Sequence, residues 1–319
     1  MPLNVPGDPG TSSPVTGLHS VLAKKASLIG NQLSMNESIC EPTSYTVAPV
    51  RRARWNVLDI LSWVSRKAVC AHLLCDVDTE AAEKLAERLS QKGEKITITA
   101  VLLKAIAIAQ LAHPDSRSYK LPWGLKVTRP FPVAGFTVER LVDGDPAVFF
   151  AAIADAHKKP LAEVAREISA YGHNHIDSVT QLTKEHLLSK VPWILRRLYI
   201  CIAINIPVLR EILNPATFGL TSLGKFGMGP PIAPNVTTAI FGIGSMEPKP
   251  VVINGKIEVR NVIPICLSAD IRVLDMYEAA RLLRHIKDLL EGGLVGHLHD
   301  SEIDSGSEIG SKSQVQTKV

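Results

Sequence analysis

Histidine and cysteine are the residue types in this chain whose spacing could do chemistry. His173-Asn-His175, with His186 nearby, could offer imidazoles to a metal ion. An H-x-H pair without a further His, Cys or carboxylate at fixed spacing is not a ligand set, so the segment reads as a solvated loop and no metal is expected. His297 and His299 read the same way, and His113, just before Pro114, reads as structural. The five cysteines (Cys40, Cys70, Cys75, Cys201 and Cys266) form an odd, scattered set. That is thiol usage of a reducing compartment rather than a disulfide framework, and it points to the cytoplasm. Cys70 and Cys75 share a strand and fall on its opposite faces. Gly242-Ile-Gly244 lacks a third glycine and leads into Glu247–Pro248, so it reads as a turn and not a dinucleotide fingerprint. Neither a phosphate-binding P-loop nor a G-x-S-x-G elbow occurs.

The elements that must position any site follow from the periodicity. Leu58–Ser65 has helical spacing, Ala68–Val77 reads as a strand, and Asp78 or Thr79 caps a helix carrying Ala82, Leu85 and Leu89 on one face. Thr99–Leu111 is apolar almost all round, which predicts a buried helix ending near His113–Pro114. Phe131–Val142 and Pro146–Asp155 read as a hairpin, and Pro160 as the first position of a helix with Leu161, Val164 and Ile168 inward. Residues 171–190 are polar and loop-like. Strands follow at Phe218–Ser222, Thr237–Gly244, Val251–Ile253, Lys256–Arg260 and Ile263–Ser268, with Asn254–Gly255 as a two-residue turn. Asp275 caps a last helix bearing Ala279, Leu282, Leu283, Ile286, Leu289 and Leu290, which Gly292–Gly293 ends. The order of elements predicts an α/β or α+β sandwich.

Composition narrows the function classes. Lys plus Arg exceed Asp plus Glu by only 35 to 31 among 319 residues, and aromatics make up 5%, so neither a basic face nor a stacking platform for nucleic acid is expected. Residues 1–49 predict a disordered arm, residues 50–296 one folded domain, and 297–319 a flexible polar tail. No secretory signal or spanning helix is expected. Val191–Leu213 is apolar but broken by Arg196, Arg197, Asn205 and Pro207. It reads as a helical hairpin packed on the same domain, ahead of a membrane contact anchored by Trp193 and Tyr199 with Arg196–Arg197 as its basic face.

Four segments then occur in a telling order: Phe218-Gly-Leu-Thr-Ser-Leu-Gly-Lys-Phe-Gly227, Ile240–Gly244, Pro250-Val-Val-Ile-Asn-Gly-Lys-Ile-Glu-Val-Arg260 and Leu267-Ser-Ala-Asp-Ile-Arg-Val-Leu-Asp275. They resemble the catalytic domain of the dihydrolipoamide acyltransferase component of 2-oxo-acid dehydrogenase complexes, with its F-T-I-S-N-L-G-x-F-G strand and terminal D-H-R-x-x-D-G. Ile98–Leu111 with His113–Pro114, and Ala154-Asp-Ala-His-Lys-Lys-Pro-Leu-Ala-Glu-Val-Ala-Arg-Glu-Ile168, resemble upstream parts of that family. The resemblance covers residues 50–292. It implies a two-layer α/β (α+β) sandwich of the chloramphenicol-acetyltransferase type, assembled as a homotrimer or a higher assembly.

The resemblance also implies a chemistry. In the family the histidine of D-H-R takes a thiol proton, the thiolate attacks a thioester, and a serine hydroxyl of a neighbouring subunit stabilises the oxyanion. Here the resemblance makes Thr221, which supplies the hydroxyl, and Asp275, at the motif's second Asp, the catalytic candidates, with Asp270 and Arg272 as motif support. Ile271 occupies the histidine position and Met276 that of the glycine. Isoleucine carries no proton, and a general base is worth about 10²–10⁴ in rate. A thiol depends on its base less than a hydroxyl does, so slow exchange remains open, with His173, His175 and His186 as replacement bases. The resemblance makes coenzyme A or acyl-coenzyme A the expected ligand and a lipoyl or acyl-carrier protein the expected partner; no lipoyl domain is read in this chain. Three functions stay in play: an acyltransferase-type binding or assembly protein with impaired transfer, an active acyltransferase with another base, and a membrane-associated partner-binding protein.

Overall fold

In a computed structural model, residues 55–64, 69–91, 95–142, 145–173, 188 and 191–298 are described. The arm expected over 1–49, most of the polar tail, and His175 and His186 lie outside these residues. Leu298, which was expected in the tail, is buried in the core.

Period-two alternation builds the sheet. Its strands are β1 (Cys70–Asp78), β4 (Val133–Val142), β5 (Asp145–Ala154), β6 (Phe218–Ser222), β7 (Ala239–Ile243), β8 (Glu247–Ile253) and β9 (Lys256–Asp270). A separate two-stranded pair joins β2 (Ser118–Lys120) to β3 (Lys126–Thr128). The main order is β1-β9-β7-β6-β4-β5, with β8 paired to the first half of β9. Only β4–β6 and β6–β7 run parallel; the remaining pairs are antiparallel. The two strands expected at 256–260 and 263–268 are one. Asn261 pairs with Pro248 of β8 and Val262 with Asp78 of β1, so the ladder never stops between them. Asn254 and Gly255 both have positive φ, 50° and 79°, as a tight hairpin turn demands.

The helices are α1 (Trp55–Val64), α2 (Glu80–Ser90), α3 (Ile98–Ala112), α4 (Leu161–His173), α5 (Trp193–Asn205), α6 (Pro207–Leu213) and α7 (Met276–Leu290). Helix α3 is buried from Ala100 through Gln110, as an all-round apolar pattern requires. Its one charged residue there, Lys104, donates its ammonium to the Lys159 carbonyl. Helix α4 starts at Leu161, one residue after Pro160, whose carbonyl accepts from Glu163 and Val164. Helices α2, α3, α4 and α7 share one core with alternate sheet residues, among them Ala134, Phe136, Phe218, Leu220, Phe241, Ile265 and Leu267. The side chains between those positions (Gly135, Thr137, Gly219, Thr221, Ile240, Cys266, Ser268 and Asp270) therefore point to the other face. Cys75 packs towards the core while Cys70 belongs to the far face, as the strand reading required.

The Gly242-Ile-Gly244 reading as a turn is corrected: Gly242 lies inside β7. A Cβ there would stand 1.9 Å from the Pro231 carbonyl oxygen, so the glycine admits a crossing backbone.

The apolar stretch 191–213 is indeed two helices on the same domain. Among the described residues no helix is long and apolar enough to cross a membrane. Arg196 and Arg197 are not a free basic face: both donate to Asp59 of α1, and Arg196 is buried with it. Trp193, Ile194, Leu195, Leu198 and Ile202 of α5 remain exposed.

Candidate active site

Thr221 sits on β6 beside Thr137 of β4, which follows the parallel register of Phe136 with Leu220. The Thr137 hydroxyl donates to Thr221 Oγ1 at 3.2 Å. That leaves the Thr221 proton available to donate elsewhere. The hydroxyl faces a cavity of about 210 Å³ between the helix-free sheet face, Leu61 of α1 and the segment Ala233–Thr237. Phe136, Phe150, Leu220, Val236 and Ile240 make its lining mostly apolar. Among the described residues, no side chain lining it carries a titratable group that could take a proton from a thiol.

The turn after β9 holds the rest of the motif. Asp270 is nearly buried and grips Arg272 through two parallel bonds, Nε to Oδ1 at 2.8 Å and Nη2 to Oδ2 at 2.5 Å. Hydrogen bonding to Asp270 holds the Arg272 guanidinium above its ordinary pKa. The Asp270 carbonyl also accepts from Val273 and Leu274, which closes the turn. Ile271 donates its N–H to the Val69 carbonyl at 3.0 Å, and its side chain is exposed at the turn. Asp275 is the N-cap of α7, accepting from the Glu278 N–H at 2.9 Å. Met276, where the family has glycine, is 48% exposed and fills no core space.

One chain does not bring Thr221 to the 271 turn. Thr221 is level with Gly242 and Cys266, whereas Asp270 lies four residues farther along β9 and two strands across. At about 3.3 Å per residue and about 4.8 Å per strand, the separation is on the order of 16 Å.

None of the replacement bases expected from the sequence has a described side chain. His175 and His186 lie outside the described residues, and His173 is the last residue of α4, its side chain not described. His113 stands 3.6 Å from Glu278 and its ring lies edge-on to His285, a structural setting as expected. Sequence reasoning missed His72. It projects from the helix-free face of β1, and its Nδ1 is 2.9 Å from Ser268 Oγ. Nothing local in the sequence marks it, because the link to Ser268 is made by sheet register alone. Also missed was a second, polar cavity of about 210 Å³ beside the 270–272 turn, lined by Tyr119, Arg210, Asn235 and Arg272 among others. Among the described residues no group of three His, Cys, Asp or Glu could hold a metal ion.

Residues 209–295 match the family model described as 2-oxoacid dehydrogenases acyltransferase (catalytic domain). Over these residues the chain is similar to the acyltransferase catalytic domain of that family. The match takes in Arg210, the Thr221 strand and the whole 270–275 turn. The lipoamide acyltransferase component of the branched-chain alpha-keto acid dehydrogenase complex of Pseudomonas putida is 39% identical over 84 residues, 26% of this chain and 20% of that protein. The succinyltransferase component of the 2-oxoglutarate dehydrogenase complex of Bos taurus is 39% identical over 83 residues, 25% of this chain and 18% of that protein. The matched part of the chain thus spans about a fifth of the length of these curated relatives.

Solved structures extend the likeness in fold. Dihydrolipoamide acetyltransferase of Azotobacter vinelandii has a TM-score of 0.61 at 21% identity, covering 82% of this chain and 97% of that one. The cubic core of the pyruvate dehydrogenase multienzyme complex has a TM-score of 0.59 at 20% identity, covering 82% and 97%. The expected two-layer α/β sandwich is the fold of this chain.

Proposed function

We propose that this chain binds an acyl thioester of the coenzyme A type at the Thr221 cavity of an assembled protein, with acyl transfer impaired by Ile271. The observation that carries this reading is the pairing of the Thr221 hydroxyl with a motif turn that keeps Asp270, Arg272 and Asp275 but lacks its base. Thr221 keeps a free proton for an oxyanion, and the Asp270–Arg272 clamp keeps the turn's shape. In the Azotobacter enzyme a serine, a histidine and an asparagine have roles in the catalytic mechanism. Thr221, Ile271 and Asp275 are the residues of this chain that correspond by motif, and Asp275 is occupied as a helix cap.

The reaction at stake is simple to write. A thiol loses its proton, its sulfur bonds to the thioester carbonyl, the oxyanion accepts the Thr221 proton as a hydrogen bond, and the C–S bond to the first thiol breaks. The departing thiolate regains a proton. Without a base at 271 the first step depends on the thiolate already present, a few per cent near neutral pH.

The apolar surface supports an assembly role, which we propose to be a homotrimer or a larger particle of trimers. Trp193, Leu195 and Leu198 on α5 and Val252, Ile257 and Val259 on the β8–β9 hairpin are all more than half exposed. Such patches mark contact surfaces. A lipoyl or acyl-carrier protein would then be the thioester donor, in a cytoplasmic setting that suits the exposed free thiols of Cys70 and Cys201.

The test is calorimetric titration with acetyl-coenzyme A, followed by thiol release with and without dihydrolipoamide. Binding with little release supports the reading, and absence of binding overturns it. A second reading, transfer with a substitute base, is favoured by His72, which shares the sheet face of Asp270. It predicts ready turnover by the wild type that His72→Gln abolishes.

A further inference from the structure

The polar cavity beside the 270–272 turn differs from the Thr221 cavity in every chemical respect. The two share only Val236 and Thr237. Three of its side chains are arranged in a way the fold itself does not need.

Arg210 of α6 lies with its guanidinium 4.0 Å from the centre of the Tyr119 ring. Among the described residues it makes no ion pair and no side-chain hydrogen bond. Its neighbour Glu211 faces Arg129, and the nearby carboxylate of Asp270 is taken by Arg272. Burial pulls the Arg210 pKa below its ordinary value, outweighing the opposing pull of Tyr119 and Asp270. Tyr119 is 7% exposed, and its hydroxyl has no hydrogen-bond partner. Asn235 is 6% exposed and donates its amide nitrogen to the carbonyls of Thr238 and Ser268, while its Oδ1 accepts from nothing. Native proteins leave few buried polar atoms unpaired, and those that remain require an explanation.

The three groups define one complement. Arg210 asks for negative charge, the Tyr119 hydroxyl asks for an acceptor, and the Asn235 oxygen asks for a donor. Lys120 lines the same cavity and adds positive charge, while Arg272 there is paired with Asp270, which also lines it. A carboxylate or sulfate offers charge and acceptors but no proton at neutral pH. A phosphate that keeps one P–O–H offers all three.

We propose that this cavity is a phosphate-binding site, in which Arg210 and Tyr119 hold phosphate oxygens and Asn235 Oδ1 accepts the phosphate hydroxyl. It does not rest on the thioester reading, since none of its three residues belongs to the motif turn or the Thr221 cavity.

Titration of the full chain with inorganic phosphate, sulfate and acetate at neutral pH and fixed chloride tests it. The expected result is saturable phosphate binding at least tenfold tighter than sulfate or acetate. Arg210→Met should weaken phosphate tenfold or more, and Tyr119→Phe severalfold. A melting temperature of Arg210→Met at or above the wild type's would accompany this, because the variant removes an uncompensated cation. Tyr119→Phe removes one oxygen and keeps the ring, so it serves should Arg210→Met fail to fold. No saturable binding by the wild type, sulfate binding as tightly as phosphate, or undiminished phosphate binding in Tyr119→Phe and in a folded Arg210→Met would overturn the proposal.

Discussion

Thr221 accepts a hydrogen bond from Thr137 and so has its own proton to give, which under the proposed function makes the hydroxyl and not the methyl the part that acts. In an Ile271→His background, Thr221→Val should therefore lower thioester exchange by about 10²–10³, the cost of one oxyanion donor. Initial rates in the two backgrounds measure it, and an unchanged rate would remove Thr221 from the site. Cys75 behaves in the opposite sense, as a residue without chemistry. Burial pushes its thiol up to about 11, so the folded state favours the protonated form. Its contribution to stability is full below the unfolded thiol pKa, near 9, and is lost as pH rises towards 11. Alkylation of the native protein at pH 8.5 should accordingly label the exposed Cys201 well before Cys75, as read by mass spectrometry of peptides over time.

At the scale of elements, Asp275 matters through α7. Its carboxylate satisfies the Glu278 N–H, and loss of such a cap costs about 1 kcal/mol. Asp275→Ala should lower stability by that amount, and Asp275→Asn, which keeps an accepting oxygen, should restore most of it in urea melts. Gly242→Ala should cost more than the cap, because its Cβ meets the Pro231 backbone and not a side chain that can turn aside. These elements also set what was legible in advance. Helices α3 and α7 were readable because burial follows a 3.6-residue period that survives in the sequence. The split of β9 into two was a misreading, since polar Asn261 interrupts the apolar pattern while the backbone ladder runs on. Gly242 misled for a related reason: the demand for a glycine comes from a distant segment crossing the strand. Thr221 and the 270–275 turn were readable because each motif is contiguous. Tyr119, Arg210, Asn235 and His72 were not, because β2, α6, the 230s segment and β1 meet only in the folded chain.

For the whole molecule, the distance between Thr221 and the 271 turn governs the rest. Two groups on the order of 16 Å apart on one sheet cannot act on one carbonyl. A working site therefore needs Thr221 of one subunit and the 271 turn of another. Light scattering should give three times the chain mass of 34.6 kDa, or a multiple of it. Leu198→Asp, placing a charge on the exposed face of α5, should shift the protein towards monomers and abolish any exchange recovered elsewhere in the molecule. The central claim, that the site is complete but for its base, is tested most directly by thiol release from acetyl-coenzyme A with dihydrolipoamide, comparing the assembled wild type with Ile271→His. The account predicts low release by the wild type and a measurable gain in Ile271→His, held below the full 10²–10⁴ of a general base because Met276 stands where the family has glycine. Rapid release by the wild type, left unchanged by Ile271→His, would contradict it.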